Sequence, residues 1–248
     1  MKLEAFFRKY TKVAVAFSGG VDSSYLLYVA KLHAEIVCAY YAKSAFQPQF
    51  EYEDAVRLAK QVGAEMKTLH IDILADEKTV SNPNNRCYYC KKTIFEIIKK
   101  QAAADGFTAL LDGTNASDDA QNRPGMKALE ELSVFSPLRM CGLTKSEIRR
   151  LSKEAGLFTW DKPAYACLAT RIPAGERITE KQLKATEMAE KYLFSLGFNN
   201  LRVRKTENSA KIQVPADQIA QVLEKREIIL SELKKYYSGV LLDLEVRK

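Results

Sequence analysis

The sequence predicts an α/β fold: a parallel sheet built from βαβ units, followed by a small α+β domain. Three observations predict it. Short β-rich runs alternate with amphipathic helical patterns through residues 1–170. The order then changes to helix, strand, strand, helix, strand over 171–248. Between the two lies RIPAGER, at 171–177, whose proline and glycine mark a linker and set the boundary at 170/171.

The opening MKLEAFFRKY reads as running straight into a buried strand, KVAVAF, at 12–17. A helix follows from about Asp22 to His33, then a second strand AEIVCAY at 34–40, a helix over 49–62, and a third strand EMKTLHI at 65–71. The turn-rich SNPNNR leads to CYYC at 87–90, just ahead of a helix through TIFEIIKKQAAA that closes at Asp105 and Gly106. FTALLDG at 107–113 is a fourth strand with a glycine exit. TKSEIRRLSKEA at 144–155 opens on Thr144 with Glu147 three residues later, the pattern of a capping box, and ends at Gly156. The C-terminal unit reads as helix 179–196, strands LRVRK at 201–205 and AKIQV at 210–214, a helix at 216–236 and the strand VLLDLEV at 240–246.

Composition excludes several classes. A hydrophobic content of 47% with 28% charged residues is that of a globular protein, and no long apolar stretch suits a membrane span or secretory signal. Five cysteines without framework spacing argue against a disulfide scaffold and for a reducing compartment, so the expected location is cytoplasmic. The net charge of +7 favours anionic partners. The basic residues are spread along the chain, a pattern that a phosphorylated small molecule fits as well as RNA does, and nucleic acid is not the expected principal partner.

The strongest local signal is SGGVDSS at 18–24, between the first strand and the first helix. Gly19 and Gly20 let the backbone approach an anion, Ser18, Ser23 and Ser24 carry hydroxyls, and the helix N-terminus offers unpaired amides and a favourable dipole. The spacing is not that of a Walker loop, and no lysine follows the second glycine. Asp22 sits beside this cradle, where a carboxylate repels phosphate unless a cation such as Mg²⁺ lies between them; the alternative is an acidic residue favouring the dipole. LLDGTNASDD at 110–119 follows the fourth strand at the sheet edge where open α/β folds bind ligands. Asp112, Thr114, Asn115 and Asp118 are candidate nucleotide or metal contacts, or members of an Asx-rich turn. Tyr40 and Tyr41 end the second strand as adenine neighbours or as packing residues.

SGGVDSS after an apolar strand resembles the PP-loop of the ATP pyrophosphatases, which include GMP synthetase, NAD synthetase and tRNA thiolation enzymes. Those enzymes split ATP between its α and β phosphates, adenylate a carboxylate or carbonyl oxygen, and let a nitrogen or sulfur nucleophile displace AMP. The resemblance implies a Rossmann-like PP-loop domain. It also implies ATP-binding roles for Ser18, Gly19, Gly20, Asp22, Ser23, Ser24, Tyr40, Thr114 and Asn115, with Asp22 catalytic and holding Mg²⁺.

Together with NRCYYCK, DGTNASDD and SPLRMCGLTKSEIR, the stretch WDKPAYACLATRIPAGERIT at 160–179 resembles the LarE family, over essentially the whole chain. This family comprises ATP-dependent sulfur transferases of nickel-pincer nucleotide synthesis. The resemblance implies a pyridinium dicarboxylate mononucleotide as substrate, converted to thiocarboxylates, and a homo-oligomer. Cys167 matches the sulfur-donating cysteine, and Lys162 and Arg171, near it in sequence, carry charge that favours a thiolate. Arg202 and Arg204 alternate onto one strand face and suit the substrate's phosphate, with Arg171 a further contact.

The CYYC pair adds Cys87 and Cys90 to the donor cysteine. The chain has two histidines, His33 and His70, both in apolar surroundings, so a complete zinc site is not legible. Family members with such a pair resemble iron-sulfur versions, which implies Cys87, Cys90 and Cys167 as ligands of a [4Fe-4S] cluster that receives sulfide from a donor. A redox or persulfide dithiol, a zinc half-site and sacrificial donation by Cys167 remain alternatives, as does a tRNA or small-molecule thiolase of the same superfamily.

Overall fold

The computed structural model describes residues 2–118 and 124–247. It divides into unit 1, Met1–Asp72 with Asn85–Lys162, and unit 2, Ile73–Asn84 with Pro163–Lys248. The sequence places the boundary after residue 170, whereas the units part after Lys162 and the second also takes in Ile73–Asn84.

Unit 1 begins with a helix, α1 (Leu3–Lys9), where the sequence was read as entering a strand directly. Phe6 and Phe7 are fully buried, so this short helix is held by its apolar side rather than by propensity. Next come β1 (Lys12–Ala16), α2 (Val21–His33), β2 (Ile36–Lys43), α3 (Gln49–Gln61) and β3 (Glu65–His70). After α4 (Glu77–Val80), which belongs to unit 2, unit 1 resumes with α5 (Arg86–Ala104), β4 (Ala109–Leu111), α6 (Pro124–Glu131), α7 (Pro137–Met140) and α8 (Lys145–Glu154).

The four strands form one parallel sheet in the order β3-β2-β1-β4, with Val13 beside Val37 on one flank and Ala109 on the other. Side chains alternate between its faces. Val13 and Val15 pack with Leu26 and Leu27 of α2, Leu58 of α3 and Ile148 of α8; Ala14 packs with Cys38, Tyr40, and Phe95 and Ile98 of α5. Each such fully buried aliphatic side chain contributes roughly 1.5–3 kcal/mol. The sheet grows from β1 toward β3 and then returns to place β4 on the opposite side. Loops leaving β1 and β4 therefore flank a switch point at the carboxyl ends of adjacent strands, where ligands bind in this architecture.

Unit 2 contains α9 (Glu180–Ser195), β5 (Arg202–Thr206), β6 (Ser209–Gln213), α10 (Ile219–Glu224), α11 (Arg226–Leu233) and β7 (Gly239–Leu242). Its sheet runs β5-β6-β7, antiparallel then parallel, over a core that includes Leu193, Leu201, Val203, Ile212 and Leu233. The helix expected over 216–236 is a 3₁₀ turn, Ala216–Gln218, and two helices that part at Lys225, whose ammonium bonds the Leu196 carbonyl at 2.7 Å. Ile73–Asn84 joins this unit through long-range bonds that leave no local signal: Asn82 Nδ2 to the Pro173 carbonyl (2.7 Å), Gly175 N to the Asn82 carbonyl (2.8 Å), and Arg177 to Glu77. Among the described residues, no helix is long and apolar enough to cross a membrane.

Candidate functional site

SGGVDSS folds as the expected strand-loop-helix junction, with Gly20 as N-cap of α2. Gly19 takes φ +73°, and a Cβ there would stand 3.0 Å from the Cβ of Ala55 on α3, so the turn requires glycine twice over. The Ser23 hydroxyl closes the loop: it donates to the Gly20 carbonyl at 3.2 Å, lies 3.0 Å from the Ser18 hydroxyl, and accepts from Ser18 N at 3.3 Å. Ser24 is fully buried, and its Oγ has no hydrogen-bond partner among the described residues.

Asp22 occupies the first turn of α2. Its Oδ2 accepts from Lys145 Nζ at 2.6 Å, while Oδ1 is buried without a partner among the described residues. An orphaned carboxylate oxygen beside a phosphate-type loop fits a hard divalent cation, so Asp22 suits the magnesium role. Lys145 opens α8 behind the Thr144–Glu147 capping box, and its backbone N–H bonds Ser117 Oγ at 3.0 Å.

The loop after β4 is brought against this junction. A Cβ on Gly113 would stand 2.8 Å from Ser23 N and 3.0 Å from its Cα. Asp112 is buried and accepts from Ser136 Oγ at 2.5 Å and from the Thr114 hydroxyl. Asn115 Oδ1 takes the Ser117 N–H at 2.8 Å and Asp118 Oδ2 the Asn115 N–H at 3.0 Å. These carboxylates and amides thus build an Asx-rich turn, while Asp119 lies outside the described residues. Tyr40 is fully buried in the face shared with Phe95, and its hydroxyl donates to Asp105 at 2.6 Å; what it offers here is packing and an anchor. Tyr41 is buried on the other face against Tyr52.

Cys87 and Cys90 lie inside the start of α5 rather than ahead of it, spaced to share one helical face. Cys87 is exposed and its sulfur accepts from Arg86 Nη2 at 3.9 Å, and Cys90 is half-buried. Both belong to unit 1, whereas Cys167 belongs to unit 2, as N-cap of a 3₁₀ turn, Leu168–Arg171. Two thiols one helical turn apart and a third elsewhere are the right donor chemistry for an iron-sulfur cluster. Among the described residues, no three or more His, Cys, Asp or Glu side chains are gathered as a metal site. Lys162, expected to favour the Cys167 thiolate, is instead committed to Glu51 (3.0 Å) and Asp54 (2.7 Å) of α3, which neutralise it.

The Cys167 segment is held by arginines. Arg171, 1% exposed, bonds Glu190 through Nε at 2.7 Å and Nη2 at 3.2 Å, and its Nη1 reaches the carbonyls of Ala166 (3.1 Å) and Cys167 (3.4 Å). Glu190 Oε1 also accepts the Val203 N–H at 2.9 Å, and Oε2 the Tyr165 hydroxyl, whose ionisation is pushed up by burial and then by Glu190. Arg204 Nη1 bonds the Thr170 carbonyl at 3.1 Å, and Arg202 Nη2 the Ala164 carbonyl at 2.8 Å. Burial first, then Arg171 and Arg247, push the Arg202 guanidinium down to about 10, still cationic at neutral pH. Arg247 is lowered too, by burial and then by Arg171 and Arg204. Glu190, bonded to Arg171, is felt also by Arg202 and Arg247, and Asp243, the acidic neighbour of Arg204, is paired with Lys211 at 3.0 Å, so the guanidiniums outnumber their carboxylates and an anion would relieve their repulsion.

Residues 6–114 match the asparagine synthase family. An uncharacterized protein of Synechocystis sp. is 36% identical over 98% of this chain and 92% of its own length. A pyridinium-3,5-bisthiocarboxylic acid mononucleotide synthase of Lactiplantibacillus plantarum, a LarE protein, is 34% identical over 98% of this chain and 89% of its own. The chain belongs to the LarE family. As a LarE-family member it is an ATP-using sulfurtransferase. A tRNA-specific 2-thiouridylase of Thermotoga sp. is a more distant relative, 26% identical over 59% of this chain and 52% of its own length.

Sequence reading missed Lys145 beside Asp22 in unit 1, and Glu190, Tyr165 and Arg247 in unit 2. Lys145 carries a legible signal, a cation in a first helical turn, where the dipole disfavours it unless an anion is near. Glu190 does as well, since it shares the buried face of α9 with Leu183, Thr186 and Leu193. Arg247 sits at a chain end and has none.

Proposed function

We propose that the chain converts the carboxylates of a pyridinium dicarboxylate mononucleotide to thiocarboxylates for a nickel-pincer cofactor; its Lactiplantibacillus plantarum relative is named as a synthase of the pyridinium bisthiocarboxylic acid mononucleotide. The observation that carries this reading is the Arg171–Glu190 pair, which fastens the Cys167 backbone beside Arg202, Arg204 and Arg247. A sulfur-bearing residue next to unbalanced guanidiniums suits a substrate with a phosphate and two carboxylates.

In this reading, Ser18, Gly19, Gly20, Ser23 and Ser24 hold the ATP phosphates, with Thr114 and Asn115 supporting the neighbouring loop. Asp22 would hold Mg²⁺, which supplies neutralising charge to the departing pyrophosphate. The substrate carboxylate attacks the α-phosphorus, pyrophosphate leaves, and the acyl adenylate then loses AMP to a sulfur nucleophile. Arg202 and Arg204 orient the substrate, Arg171 positions the Cys167 segment, and the sulfur is delivered at Cys167. Cys87, Cys90 and Cys167 would hold a [4Fe-4S] cluster, which supplies an open iron for sulfide from an external donor. The protein works as a homo-oligomer in a reducing cytoplasm, consistent with five cysteines of which none forms a disulfide.

Anaerobic reconstitution followed by iron and sulfide analysis tests the cluster. The wild type retains iron, and Cys87→Ala, Cys90→Ala and Cys167→Ala each lose most of it. A wild type that holds no iron removes the cluster and leaves Cys167 as a sacrificial donor, detected as dehydroalanine by mass spectrometry.

A further inference from the structure

Asp22 and Lys145 belong to different elements, the first turns of α2 and α8, and meet at 2.6 Å with side chains 22% and 35% exposed. The ammonium gains nothing from its own helix, whose N-terminal dipole repels it. Its partner is the carboxylate. A divalent cation on Asp22 would stand about 2.0–2.1 Å from the oxygen it binds, so an ammonium on the same carboxylate would face a second, stronger positive charge. The Lys145 backbone is fixed by Ser117 Oγ at 3.0 Å and by the capped start of α8, but its four-carbon stem is flexible.

We propose that Lys145 is the resident counterion of Asp22 and is exchanged for the divalent cation when nucleotide enters, its ammonium then passing to the incoming phosphates. Metal and nucleotide consequently bind together, and metal alone binds poorly. The inference rests on the reading of SGGVDSS as a magnesium-ATP site. It adds a coupling set by Lys145, beyond the chelation of metal by the nucleotide itself.

The test uses the full chain and Mn²⁺, with free metal followed by electron paramagnetic resonance, in the absence and presence of α,β-methylene-ATP and after subtracting the Mn²⁺ that the analogue binds without protein. Wild type binds Mn²⁺ weakly alone and roughly tenfold or more tightly with the analogue, a usual size for coupling between ligands. Lys145→Met binds Mn²⁺ alone about tenfold more tightly than wild type and loses most of the gain from nucleotide. Lys145→Arg, which keeps the charge, behaves as wild type, and thermal melts verify that all variants are folded. If Lys145→Met leaves both Mn²⁺ affinities unchanged while Asp22→Asn abolishes binding, the exchange is overturned and the magnesium-ATP site stands. If Asp22→Asn also leaves binding unchanged, the metal reading of Asp22 fails and the exchange with it.

Discussion

Gly113 lies against the backbone of Ser23, so close that a Cβ would meet Ser23 N at 2.8 Å. That contact joins the loop after β4 to the start of α2. The atom met is backbone, which cannot turn aside as a side chain would. Gly113→Ala is expected to destabilise unit 1 by about 1–3 kcal/mol and to weaken ATP binding by more than the change in stability explains. Thermal unfolding with and without ATP checks both, and a variant with unchanged ATP affinity would remove the loop from the nucleotide site.

Arg171 and Glu190 form an ion pair that is 0% and 1% exposed. Removing one partner strands the other in the core. Glu190→Gln is expected to cost about 3–5 kcal/mol, because Arg171 is then uncompensated beside Arg202 and Arg247. Added phosphate should recover part of the loss in a urea titration. Absence of both effects would show that the arginines are not energetically coupled.

Arg204 and Arg247 differ from Arg171 in being half-buried, with room to meet a ligand. Arg204→Gln and Arg247→Gln are each expected to raise KM for the mononucleotide roughly tenfold or more, as loss of a charge-assisted hydrogen bond predicts, with kcat changed far less. A fall in kcat at constant KM would place them at the reacting carboxylate instead.

Asp105 takes hydrogen bonds from Tyr40 and then Lys67, which hold its carboxyl below the ordinary aspartate range. Its contribution to stability is therefore fully present above the unfolded aspartate value of about 3.9 and is lost as pH falls through the lower folded value. Asp105→Asn should be less stable than wild type at pH 6, with the two converging below about pH 4. Unfolding followed across that range checks it, and parallel curves would mean that the Tyr40–Asp105 bond contributes nothing.

Much of unit 1 was legible in the sequence because its signals are local: continuous apolar runs in β1 and β2, the SGGVDSS turn, and the Thr144 capping box. At the candidate site, the strand-loop-helix junction at SGGVDSS was legible from its motif. What escaped depends on distant partners. Lys145 finds Asp22 123 residues away, and Ile73–Asn84 joins unit 2 through Asn82 and residues 91 positions on. Lys162 stands near Cys167 in sequence, yet α3 provides its counterions. Proximity along the chain was there a poor guide to charge.

In the proposed reaction ATP activates a carboxylate, and the sulfur that replaces AMP is delivered at Cys167. This reaction is tested most directly by incubating wild type and Cys167→Ala with ATP and the pyridinium dicarboxylate mononucleotide, measuring pyrophosphate release and thiocarboxylate product by mass spectrometry. The account predicts that both proteins release pyrophosphate and that only wild type yields thiocarboxylate. Thiocarboxylate formed by Cys167→Ala at the wild-type level would contradict it.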